Sequence, residues 1–135
     1  MKTKSILTCI TLLSVMCFLI VGFNEPIQKK WVAPSSADKI VNPLKNDKEA
    51  STSGKKLFNA LCSVCHGIKG KGDGIGGTGL TPKPTDLTNS EFQSQTDGAI
   101  FWKIAVGRSP MAGYRTSIPE KKRWEIINYI RTLKK

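Results

Sequence analysis

Apolar and polar positions alternate in three different ways along this chain of 135 residues. After a short basic leader, Met1-Lys2-Thr3-Lys4, residues 5–24 carry no charge, and residues 6–23 are dense in Ile, Leu, Val, Phe, Met and Cys. Eighteen such residues are about enough to cross a bilayer as one helix. Residues 24–50 hold neither a helical nor a strand period, and Pro26, Pro34 and Pro43 are spread among Ser, Asp, Asn and Lys, which predicts a linker. From Ser51 a helical rhythm takes over. Ser51-Thr52-Ser53 offers N-cap oxygens, and Leu57, Phe58 and Leu61 recur at helical spacing up to a cysteine pair. A glycine-punctuated stretch at 67–79 excludes regular structure, and Thr81-Pro82-Lys83-Pro84 prolongs it as a loop. The pattern predicts a second helix over 97–106, capped by Thr96 and stopped by Gly107. A last helix is predicted over 119–133, with Ser117 and Glu120 as a capping box and Trp124, Ile127, Ile130 and Leu133 as its apolar stripe. No strand alternation stands out. The expected architecture is an anchor at 1–23, a linker at 24–50 and an all-α domain with long loops at 51–135.

Charge sharpens this picture. The chain has 21 Lys and Arg against 10 Asp and Glu, a formal +11. Residues 51–135 hold 14 of the basic and 6 of the acidic side chains, so +8 of that excess belongs to the domain. Such an excess steers acidic partners toward a surface. Nucleic acid is not expected, because the basic residues are scattered and the chain beyond the apolar run is exported. Three fates fit that run: an uncleaved anchor helix, a cleaved signal, or lipidation at Cys17. No small-x-small site follows it closely, and Met16 stands before Cys17 where lipidation prefers a small residue. The uncleaved anchor is the favoured reading. Trp31, beside Lys29 and Lys30, either sits at headgroup level or folds back on the domain together with Val41-Asn42-Pro43.

The chemistry concentrates at Cys62-Ser63-Val64-Cys65-His66. Two thiols separated by two residues and followed at once by His form the attachment pattern of a c-type haem. Two thioether bonds pin one edge of a porphyrin along a helical turn, and His66 then falls under the iron as proximal ligand. A plain disulfide leaves the chain's only histidine without a role. A thioredoxin-like pair expects a βαβ setting, and zinc needs a fourth ligand that the domain lacks. The same single histidine excludes bis-His ligation, and lysine stays open as an alternative to methionine on the second axial position. Met111, the one methionine of the domain, sits between Pro110 and Gly113 in a constrained loop, and it is the expected second axial ligand. A thioether ligand favours ferrous iron and raises the reduction potential.

With these residues in place, positions 51–133 resemble a bacterial monohaem class I cytochrome c. The resemblance rests on Gly54 with Phe58, the cysteine–histidine motif and the glycine stretch with Asp73. It extends to Pro82-Lys83-Pro84-Thr85-Asp86-Leu87, the Met111 loop, and Arg123-Trp124 through Tyr129-Ile130. It implies that the first and last helices cross, Gly54 allowing the approach and Phe58, Trp124 and Tyr129 packing there. It implies also that a carbonyl of Pro82 or Pro84 accepts the His66 N–H. Trp102, Arg108 and Tyr114 are then candidates for bonding the haem propionates.

The expected function is electron transfer by one covalent haem c with His66 and Met111 on the iron, and no enzymatic reaction or small-molecule substrate. The carrier would run between a quinol-oxidising complex and a terminal oxidase or reductase, meeting acidic partners through Lys69, Lys71, Lys83, Arg108 and Arg115. It would work on the periplasmic side of the bacterial cytoplasmic membrane. The alternatives are a fixed haem subunit of a membrane respiratory complex, and an open-site haem enzyme or sensor.

Overall fold

Asp47 opens the first helix, because its carboxylate accepts the otherwise unpaired N–H groups of Glu49 and Ala50 at 2.8 and 2.9 Å. In the computed structural model, which describes residues 30–135, α1 therefore spans Lys48–Leu61 and starts three residues before the expected Ser51. The Ser-Thr-Ser run lies inside α1, where Thr52 donates its hydroxyl back to the Lys48 carbonyl. The expected anchor at 1–23, with Cys9 and Cys17, lies outside the described residues. Among the described residues no helix is long and apolar enough to cross a membrane.

Four more helices follow: α2 at Ser63–His66, α3 at Ser90–Gln93, α4 at Asp97–Val106 and α5 at Glu120–Thr132. The described residues contain no strand, only an isolated bridge between Arg108 and Met111. The fold is all-α. α4 has the expected bounds, with Thr96 Oγ1 accepting the Ala99 N–H at 3.0 Å and Gly107, at φ 70°, ending it. The capping box expected for α5 does not form. Its cap position is Pro119, which has no side-chain oxygen, and Ser117 is exposed. The short α3, capped by Asn89, was not anticipated from the pattern.

α1 and α5 cross at Gly54. A Cβ there would stand 1.8 Å from the Glu125 carbonyl oxygen and 2.4 Å from its carbon, both rigid backbone atoms. Phe58 and Tyr129 meet at the crossing with ring centroids 5.2 Å apart. Trp124 does not join them. It stacks on Phe101 of α4 at 4.0 Å, and the Arg123 guanidinium lies 4.6 Å from the centre of the same ring. α5 is buried from Arg123 to Ile130 on every face, not along one stripe, since α1, α4 and the segment before α1 all cover it. Replacing Gly54 with Ala should push the helices apart and destabilise the protein by about 3 kcal/mol, read as a lower urea midpoint with the helical content kept. An unchanged midpoint would show that the crossing is looser than this geometry.

Residues 30–47, expected as linker, pack against the domain. Ala37 is 1% exposed and Asn42 6%. The Asn42 amide donates to Asp97 Oδ2 and to Asn128 Oδ1, both at 2.8 Å, which joins this segment to α4 and α5 at once. Arg131 closes the network on Asp97 Oδ1 at 2.7 Å and on the Gln93 carbonyl at 2.8 Å. These are the long-range polar ties that a period-based reading cannot register.

Candidate cofactor site

α1 runs almost directly into α2, and this continuity sets the cysteine geometry. The Cys65 and His66 N–H groups both return to the Cys62 carbonyl, at 3.2 and 2.9 Å, so Cys62, Cys65 and His66 share one helical turn. Gly67 stops the turn at φ 76°. The glycine loop then folds back. Gly72 and Gly74 donate to the carbonyls of His66 and Cys65 at 2.8 and 3.1 Å, filling acceptors that a helix end leaves open. Gly72 is required there, because its φ is 77° and a Cβ would meet the Pro84 carbonyl oxygen at 2.3 Å.

His66 Nδ1 lies 3.1 Å from a backbone carbonyl. That carbonyl belongs to Thr85, not to Pro82 or Pro84 as expected; the Pro84 carbonyl is turned against Gly72 instead. A carbonyl can only accept, so this contact assigns the proton to Nδ1 and leaves the Nε2 lone pair free. Burial lowers the imidazole pKa, with the Thr85 bond acting in the opposite sense, which favours the neutral ring. No sequence signal marks Thr85, because the group used is its backbone oxygen.

The Cys62 thiol is held neutral. Burial first, then the neighbouring Cys65, pushes the Cys62 pKa up to about 11. A neutral thiol is a poor free nucleophile, because the thiolate is the reactive form. Both cysteines are free and half-buried, and no cluster of three His, Cys, Asp or Glu side chains that could hold a metal ion occurs among the described residues.

Met111 sits in a pinned loop. Its N–H and carbonyl pair with the carbonyl and N–H of Arg108 at 2.8 and 3.0 Å, while Tyr114 and Arg115 donate to Ile104 and Ala105 at 2.9 and 3.0 Å. The loop lies so close to the end of α4 that a Cβ on Gly113 would meet the Val106 oxygen at 2.3 Å. Met111, Tyr114, Cys62, Leu57 and Phe101 are all half-buried against the same core cluster. Tyr114 joins the two halves of the site, because burial and then Cys62 and Cys65 raise its phenol pKa. Phe101 was not named from the sequence, and Leu57 entered only as an apolar position of the first helix, not as part of the site. Trp102 and Arg108 meet around Trp31, at 6.4 Å between ring centroids and 5.1 Å from guanidinium to ring.

These residues fit a haem c. Two sulfurs stand on one turn with an imidazole whose Nε2 lone pair is free, and Cys62 and the Met111 thioether both edge the one buried apolar cluster. A helical shell bearing that set defines a c-type cytochrome, a protein with covalently bound haem c. The chain belongs to the family described as cytochrome c oxidase, cbb3-type, subunit III, which it matches over residues 49–130. Among curated proteins no sequence matches it. It is similar in structure to the Kuenenia stuttgartiensis reducing HAO-like protein complex Kustc0457/Kustc0458, with TM-score 0.62 and 23% identity over 71% of this chain. That match covers 50% of the other chain, so this protein spans half its length. It is similar also to the KustC0563 c-type cytochrome, with TM-score 0.53 and 25% identity, over 61% of this chain and 98% of that one.

Proposed function

We propose that this protein carries single electrons through one haem c, held by thioethers from Cys62 and Cys65 and ligated by His66 Nε2 and the Met111 sulfur. The observation that carries the reading is the His66 Nδ1 contact with the Thr85 carbonyl at 3.1 Å. It orients the ring and leaves a basic Nε2 for a metal, as expected of a proximal ligand with its outer partner in place. When bound, the haem supplies the one-electron Fe(III)/Fe(II) couple. Everything else is done by the chain. Cys62 and Cys65 fix one edge of the group on a helical turn, and the backbone pairing with Arg108 restrains the Met111 loop. Leu57, Phe101 and Tyr114 exclude water from the inner face. Pro84, set against the glycine loop, walls the proximal side, with Pro82 before it. Tyr114, Arg108 and Trp102 supply polar hydrogens for the propionates.

With two protein ligands on the iron the chain offers no open coordination position, so its role is that of a carrier and not an enzyme. Its partner is an acidic redox protein or respiratory complex, between quinol oxidation and a terminal oxidase or reductase. The apolar run at 6–23 serves as the membrane anchor on the periplasmic side; cleavage, or a lipid at Cys17, are the competing fates. The description of its family as an oxidase subunit favours a second reading, a haem subunit fixed in such a complex.

Mass spectrometry and absorption of the mature protein test the assignment. The expected result is one haem added on the peptide containing Cys62 and Cys65, with the weak red band of methionine-ligated ferric haem. No added mass on that peptide would overturn the attachment. Rapid cyanide binding with no such band would overturn the Met111 assignment.

A further inference from the structure

The segment before α1 is tied down along its whole described length. Trp31 packs edge-on against Trp102 at 6.4 Å, with Lys103 Nζ and the Arg108 guanidinium 5.5 and 5.1 Å from its ring centre. Two cations near one indole make a favourable site, more so where burial has removed part of their water. The turn at Ala37–Lys39 sits on Gly98, where a Cβ would meet the Ala37 carbonyl oxygen at 2.0 Å. Thr96 Oγ1 donates to Asp38 at 2.6 Å, and the buried Asn42 amide binds both α4 and α5. The exposed Lys30–Glu91 pair at 2.8 Å adds little.

We infer that residues 30–47 are a fixed strap, and that the haem domain is leashed to its membrane by residues 24–30 alone, serving an acidic redox complex in the same bilayer. The inference rests on the reading of residues 6–23 as an anchor and deepens it. A linker running from Asn24 to Ser51 would reach at most about 90 Å, whereas the stretch from Asn24 to Trp31 reaches at most about 25 Å. The domain itself is only about 35 Å across, from a radius of gyration near 13 Å. The haem is thus confined to a thin layer over the membrane. Confinement raises its effective concentration toward partners that open onto that layer. The +9 charge of residues 30–135, from 18 Lys and Arg against 9 Asp and Glu, makes an acidic face on such a partner the matching surface.

The test uses full-length holoprotein in phosphatidylcholine vesicles containing a headgroup-labelled fluorescent lipid, which the haem quenches in proportion to its proximity. Zwitterionic lipid keeps the basic domain from adsorbing. Two variants are compared with wild type: one with about 20 Gly and Ser residues inserted between Pro26 and Ile27, and Trp31→Ala with Asn42→Ala. Wild type should quench at least twofold more than either. Equal quenching by wild type and the insertion variant would overturn the leash. Because the double variant can lose its fold, trypsin digestion of wild-type holoprotein decides the strap independently. Lys39 and Lys45 should be cut at least tenfold more slowly than in urea, and equal rates would overturn the strap. Vesicle flotation separates the two premises: a chain that fails to float overturns the anchoring and the confinement, while the digestion still decides the strap.

Discussion

Replacing Cys62 and Cys65 together with Ser should yield a chain that retains no covalent haem and loses cooperative unfolding. The folded unit spans residues 30–135, a size at which a single hydrophobic core supplies only a modest margin. The buried cluster around Phe58, Ile100, Trp124, Ile126 and Ile127 is small, and Leu57, Cys62, Phe101, Met111 and Tyr114 edge it only half-buried. A flat apolar group seated against those five would complete their burial. Without it they face water, and the loss is on the order of the 5 kcal/mol that keeps a small domain folded. Single Cys→Ser variants should hold haem by one bond and show intermediate melting temperatures. Haem content by absorption after denaturation, with thermal melts followed by circular dichroism, reads both effects. A double variant with wild-type haem content and melting would refute the attachment and the structural role together.

Met111→Ala should lower the reduction potential by on the order of 0.2 V, within the ~0.8 V range that axial ligands command. The physical cause is the loss of a thioether that favours ferrous iron. The loop should survive, since its hydrogen bonds to Arg108, Ile104 and Ala105 use backbone atoms only. The variant should also bind carbon monoxide and cyanide rapidly where the wild type does so slowly. Redox titration and ligand-binding kinetics measure the two changes. A potential within error of wild type would remove Met111 from the iron and point to another ligand, with lysine as the remaining chemistry.

Local chemistry was legible wherever it depended on neighbours in the chain. The turn carrying Cys62, Cys65 and His66, the cap at Thr96 and the stop at Gly107 all follow from spacing within about four residues, because helix hydrogen bonds and capping act over that range. The start of α1 was misplaced for a related reason. Asp47 and the Ser-Thr-Ser run are both good caps, and what selects Asp47 is the packing of residues 42–47 on α5, seen in the Asn128 amide bonded to the Leu44 carbonyl. The capping box at Ser117 failed similarly, since Pro119 already occupies the cap position.

What the tertiary structure alone decided is where distant groups meet. The partner of His66 is a backbone oxygen 19 residues away, which carries no side-chain signature. Trp124 found its stacking partner in Phe101 of another helix, a pairing that no local spacing marks. The same holds for the segment before α1. Its polar, proline-spaced residues match a solvated linker in composition, and only Asn42 finding Asp97 and Asn128 turns it into part of the domain. By itself the sequence determined the all-α class, the one-turn spacing of Cys62, Cys65 and His66 and the sign of the net charge, because these are set by covalent spacing and residue type. The hydrogen-bond partner of His66 and the docking of residues 30–47 depended on contacts across the fold, where many pairings are compatible with one pattern and packing selects among them.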